Sequence, residues 1–170
     1  MPSRLQLESV YDEHADALFA FLLSLRRDNE AVREVLQELF TKLAQHPDRL
    51  TGVRNVRSFL IRMAHRITID LIRRRDTRDR YHQDFQAAQV NLFAPTTDPD
   101  AAAVRDAMSK ALAELPLEQR AVVHLKLWEQ FTFEQIAETL EIPLNTAASR
   151  HRYGLDKLRH HLRPLYEEIK

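Results

Sequence analysis

No cysteine occurs among the 170 residues, and only two are glycine, Gly52 and Gly154. The first absence excludes disulfides and thiolate metal sites, and fits a reducing compartment such as the cytoplasm. The second argues against sheets, whose tight turns draw on glycine for positive φ, and favours helices. No apolar run approaches the roughly 20 residues that span a bilayer. The start, Met1-Pro2-Ser3-Arg4, lacks the apolar stretch of a signal peptide. There is no Gly-rich phosphate loop and no G-x-S-x-G elbow, and the eight histidines show neither H-x-x-x-H nor H-E-x-x-H spacing. No catalytic residue, metal site or cofactor is therefore expected, and a cytoplasmic location is.

Net charge is also missing, since 25 basic residues balance 25 acidic ones. The charges are nevertheless segregated. Residues 1–50 hold six basic against nine acidic residues, and 51–80 hold nine against three, all nine being arginine. Residues 81–143 turn acidic again, four against ten, and 144–163 are basic, five against one. Phosphate responds to the local field rather than to the sum, so two basic blocks in a neutral chain remain compatible with nucleic-acid binding.

What is present is helical periodicity. Leu7, Val10, Tyr11, Leu18, Leu22 and Leu25 fall on one face of a first helix. Asp28 or Asn29 can cap a second, which turns Val32, Val35, Leu36, Leu39, Phe40 and Leu43 inward. Pro47 and Gly52 bracket a loop, His46 to Asn55. Asn55 can then cap a long third helix with the stripe Val56, Phe59, Leu60, Met63, Ile67 and Leu71. Between Gln83 and Ala101 the periodicity fades into Asn, Pro, Thr and Asp, as in a flexible linker. Four more helices are predicted at about 102–114, 117–130, 133–140 and 145–161. Pro116 suits the first turn of the second of these, and Thr132 with Gln135 forms a capping box for the third. The fold class is all-α. It has an N-terminal helix bundle (1–82), a linker (83–101) and a C-terminal four-helix domain with a helix-turn-helix (102–165).

The helix-turn-helix runs from Thr132 to Arg152. A short helix holding Ile136, Ala137 and Leu140 meets a turn at Glu141 to Pro143. A second helix then opens with small and polar residues that suit a major groove. Ala137 is small enough to let the two helices cross closely. Asn145, Thr146 and Ser149 lie where the helix dipole favours phosphate, and Arg150 and Arg152 can reach bases or backbone. Arg159 and Arg163 extend the positive charge.

Three segments, taken in order, resemble the extracytoplasmic-function (ECF) branch of bacterial sigma factors. Ala31-Val-Arg-Glu-Val-Leu-Gln-Glu-Leu-Phe-Thr-Lys-Leu43 is similar to that family's polymerase-binding helix, and Phe59 to Arg75 to its promoter-melting helix. Ala111 to Pro116, with Thr146 to Arg159, is similar to its second domain. The resemblance implies a transcription initiation factor that binds core RNA polymerase through the β′ clamp helices and β flap. It would direct polymerase to −35 and −10 promoter elements and assist melting, with an anti-sigma factor as a further partner. It places Glu34, Gln37, Glu38 and Thr41 on the polymerase. Arg62, Arg66, Asp70, Arg73 and Arg74 fall on the −10 element, and Asn145, Thr146, Ala148, Ser149, Arg150 and Arg152 on the −35 element.

The chain departs from the family pattern in places. Arg66 stands where Asn is frequent, and Ala31 and Arg33 replace acidic residues. Glu141 takes a turn position that is often Gly, and Ala147-Ala148 replace a common Val-Lys. Two other readings stay open on the sequence. A dimeric helix-turn-helix repressor would bind palindromic DNA unaided, and a helical adaptor would show no salt-dependent DNA affinity.

Overall fold

The computed structural model describes residues 4–79, 93 and 96–169, and among these the regular structure is helical. Contacts divide the chain into two compact units, Met1–Ala88 and Gln89–Lys170.

The first unit holds α1 (Arg4–Arg26), α2 (Asn29–Gln45) and α3 (Val56–Asp79), each packed against the other two. Asp28 caps α2 by accepting the N–H of Glu30, and Asn55 caps α3 by accepting that of Ser58 at 3.0 Å. Both caps follow the sequence expectation, because a cap is a local matter of one side chain and the next turn. The core joins Leu18, Phe21, Leu22 and Leu25 of α1 to Val32, Val35, Leu39 and Leu43 of α2. From α3 come Leu60, Ile61, Ala64 and Ile67. The α3 stripe differs from the predicted one: Ile61, Ala64 and Thr68 are buried, whereas Phe59 and Met63 are only half-buried. A helix wedged against two partners buries two adjacent rows, not one. Thr68 is tolerated there because its hydroxyl donates to the Ala64 carbonyl at 2.8 Å. Tyr11 is half exposed, but its ring meets Phe40 edge-on at 5.0 Å and ties α1 to α2. The loop to α3 contains a 3-10 turn, Pro47–Leu50, and then Gly52 at φ +75°, a conformation that glycine adopts without strain.

The second unit holds α4 (Pro99–Ala113), α5 (Leu117–Leu127), α6 (Phe133–Leu140) and α7 (Leu144–Ile169). α4 begins three residues earlier than predicted, because Asp98 caps it through the Asp100 N–H and Pro99 occupies its first turn. Pro116 is the N-cap of α5 and not, as expected, part of its first turn. α7 continues well past 161 and through Pro164. The proline removes one bond to the His160 carbonyl, an exposed position where water can take over. Leu162 and Leu165 keep the stripe partly buried beyond it. α7 is the hub, packed on α4, α5 and α6. Ala111, Leu112, Leu115, Val123 and Leu158 form a core cluster, with Phe93, Met108, Leu155 and Leu162 against it. Gly154 is buried where α7 meets α5: a Cβ there would lie 2.7 Å from Val123 Cγ2. The glycine is required by that close approach.

Helix ends in this glycine-poor chain fall to other residues. Arg27, Gln130 and Glu141 all adopt positive φ, between 54° and 58°. The predicted linker 83–101 lies largely outside the described residues.

Candidate nucleic-acid interface

α6 opens with the full capping box: Thr132 accepts the Gln135 N–H at 3.1 Å, and the Gln135 side chain accepts the Thr132 N–H at 2.8 Å. It closes on Glu141 in the left-handed region, where the Ile142 N–H reaches back to the Ala137 carbonyl at 3.0 Å. α7 then starts at Leu144, with the Ala147 N–H bonded to the Pro143 carbonyl at 3.1 Å. The residue fully buried where the helices cross is Ala147, with Ile136, whereas Ala137 is only partly covered. Ala137, the small residue expected at the crossing, is half-buried on α6, and the fully buried Ala147 is a second small residue near it on α7.

Three side chains brace this angle from outside. Phe133 of α6 packs edge-on against His151 of α7 at 5.3 Å, and Lys126 Nζ of α5 lies 4.6 Å over the same ring. Lys126 also donates to the Phe131 carbonyl at 3.3 Å. Burial, and then the nearby Lys126 charge, hold His151 below the usual imidazole pKa. His124, deeper in α5 and stacked on Trp128 at 5.4 Å, is pushed down to about 4 by burial.

Successive residues of a helix are rotated by about 100°, so the start of α7 sorts into faces. Opposite the buried Ala147 and Gly154 lie Asn145, Ser149 and Arg152. Arg152 is exposed, its guanidinium 5.0 Å over the Tyr153 ring. Arg150 is half-buried on the flank with Thr146, so the two arginines do not share a face. Ser149 is half-buried and its hydroxyl donates to the Thr146 carbonyl at 3.2 Å. Ala148 is half-buried beside Leu144, which leaves 45% of its surface exposed. Leu144 and Tyr153 were missed in the sequence, where an apolar residue at helical spacing reads as core. Further along, Arg159 lies 3.5 Å from Asp156 and Arg163 3.7 Å from Glu167. Both charges are partly neutralised, so they extend the basic field less than expected.

In the first unit, Glu34, Gln37 and Thr41 are exposed on α2, and Glu38 is half-exposed and paired with Lys42 at 2.8 Å. On α3, Arg62 is half-buried, while Arg66, Asp70, Arg73 and Arg74 are exposed. The two surfaces meet at an ion pair that the sequence did not reveal, Arg75 to Glu34 at 2.8 Å. Arg26 adjoins this pair, and burial and then Arg75 lower its pKa, against Asp28, Glu34 and Asp76. Among the described residues no cluster of His, Cys, Asp or Glu could hold a metal ion, and no helix is long and apolar enough to cross a membrane.

A helix-turn-helix in one unit and an arginine-lined helix in the other are each a candidate nucleic-acid-binding element. The sigma-70 region 2 family matches residues 10–78, and the sigma-70 region 4 family matches residues 111–160. The chain is 31% identical over 154 residues to the ECF RNA polymerase sigma factor SigL of Mycobacterium tuberculosis, covering 90% of this chain and 86% of that protein. It is 24% identical over 165 residues to the ECF sigma factor SigX of Bacillus subtilis, covering 94% and 85%. Among solved structures, the sigma factor RpoE from Bartonella quintana, in complex with the anti-sigma factor NepR, matches with a TM-score of 0.76. Its identity is 20%, over 94% of this chain and 96% of that one, and the likeness concerns the fold. The chain belongs to the ECF family of RNA polymerase sigma factors. It binds core RNA polymerase and promoter DNA and functions in promoter recognition.

Proposed function

We propose that three surfaces divide this work. The exposed face of α2, with Glu34, Gln37, Glu38 and Thr41, docks on the β′ clamp helices, where carboxylates and amides meet basic partners. Arg62, Arg66, Asp70, Arg73 and Arg74 of α3 hold the melted −10 strand. Unstacking bases costs a few kcal/mol, which a basic surface offsets by binding the opened strand. Opening then needs no nucleotide hydrolysis and no catalytic residue, only a shift in equilibrium. The start of α7 reads the −35 element, through Asn145, Ala148, Ser149 and Arg152, with Thr146 and Arg150 on the flank. The units assigned are 1–82 and 102–165, joined by 83–101, and the protein acts in the cytoplasm. The second unit also meets the β flap, and an anti-sigma factor is a further proposed partner.

The observation that carries this reading is the outward face of α7. Asn145, Ser149 and Arg152 project from the first three turns of a helix held by a capped helix-turn-helix. The test is run-off transcription with purified core polymerase on a promoter library. Initiation above core alone is expected, from promoters sharing two elements. No initiation where another sigma factor succeeds, or stable palindromic binding without polymerase, overturns it.

A further inference from the structure

Resting on the reading that the start of α7 enters the −35 major groove, we infer that Leu144 reads the methyl group of a thymine there. Leu144 is the first residue of α7, and 45% of its surface is left in water. It is left out of the enclosed set, in which Ile136 and Leu140 of α6 and Ala147 of α7 are buried. A helical side chain leans toward the helix N-terminus, which for Leu144 is the end that leads into the groove. One turn on, the half-buried Ala148 continues the same edge at a rise of about 6 Å. The two form an apolar strip beside the polar row of Asn145, Ser149 and Arg152.

The chemistry of the groove names the occupant. Every base pair shows donors and acceptors on its major-groove edge, and the apolar group there is the C5-methyl of thymine. A leucine has no hydrogen bond to offer, so opposite any other base edge it would cover a polar atom without replacing its water. Next to a thymine it removes a methyl group and its own exposed carbons from water together. Ala148 adds to this by being short: a lysine there would bring a charge to the same edge. Leu144 thus discriminates among bases while carrying no charge, and the surrounding Asn145 and Arg152 supply register and hydrogen bonds.

The experiment uses holoenzyme assembled from the full chain and core polymerase. The probes are promoter duplexes that it selects from a library randomised in the upstream element. Each thymine of the selected element is replaced singly by uracil, which removes the methyl group and nothing else. At one thymine or two adjacent ones, binding should weaken about fourfold, the factor for one buried methyl-sized group. Leu144→Ala should reduce that penalty to less than twofold, and Leu144→Met, which stays apolar, should keep it. The unfolding midpoint of both variants should match wild type, because the residue is half exposed. Insensitivity to every uracil, an element without thymine, or an undiminished penalty in Leu144→Ala overturns the inference. So does a Leu144→Ala that impairs holoenzyme assembly and leaves the uracil pattern intact, which would make the leucine a protein contact. Arg152→Ala separates the two levels. If it leaves upstream binding unchanged, the placement of α7 on DNA fails. If it weakens binding while the uracil series stays flat, only the role of Leu144 fails.

Discussion

Glutamate is a poor choice for a left-handed backbone, yet Glu141 holds φ 58° and ψ 47° at the turn of the helix-turn-helix. The left-handed conformation costs a residue with a Cβ about 1–2 kcal/mol, and glycine, which escapes this, loses up to about 1 kcal/mol more entropy on folding. Glu141→Gly should therefore raise stability by about 0.5–1 kcal/mol in denaturant unfolding, with no change in promoter selection. His124 makes the opposite kind of residue-level contribution. Its folded pKa of about 4 lies below the unfolded 6.5, so the unfolded chain takes up the proton first as pH falls. The stability it supports is whole above pH 6.5 and is lost on the way down to about pH 4. The loss is about 3 kcal/mol in unfolding measured at pH 7 and pH 4. His151 shifts in the same direction and adds to the same slope. The sequence shows where the histidines are but not which are buried, because burial of an imidazole depends on the helices that cover it.

At the scale of the helix, the chain was most legible where structure is local. Asp28, Asn55 and the Thr132–Gln135 box each act within a turn of themselves, and each caps its helix as read. Legibility ended where a third helix decides the outcome. Ile61 and Ala64 are buried because α3 faces both α1 and α2. α7 also outran its reading, since a proline normally ends a helix and Pro164 does not. The close approach at Gly154 is equally tertiary. In Gly154→Ala the new methyl meets the stiff, buried Val123, and overpacking of that kind costs about 1–3 kcal/mol. The better helix propensity of alanine returns about 1 kcal/mol, for a net loss of roughly 1. Val123→Ala in the same chain should recover part of it, so a double-mutant cycle should show the two changes to be non-additive.

Across the whole molecule, charge segregation in the sequence marked two arginine-bearing helices, α3 and α7, but not how their charges would be spent. Arg159 and Arg163 have carboxylate neighbours on their own helix, while Arg73 and Arg74 stand exposed on α3. On the proposed assignment, Arg73→Ala should weaken holoenzyme binding to single-stranded −10 DNA. It should flatten the plot of log affinity against log salt by about 0.7, the increment for one lost phosphate contact on a single strand. Arg159→Ala should leave that slope unchanged. The pair Glu34–Arg75 is the charge contact that no local reading could find, as 41 positions separate its members. It joins the surface assigned to polymerase to the end of the helix assigned to DNA. On the proposed assignments, a carboxylate drawn to polymerase would leave its arginine in need of another anion, and a phosphate of the bound strand would be at hand. By thermodynamic reciprocity, the factor by which polymerase at Glu34 would tighten DNA at Arg75 would equal the factor by which DNA would tighten polymerase. A half-exposed pair is worth up to about 1 kcal/mol, which limits that factor to about fivefold. On that reading the protein would carry one of its own counter-ions, held in place until the two surfaces are used together.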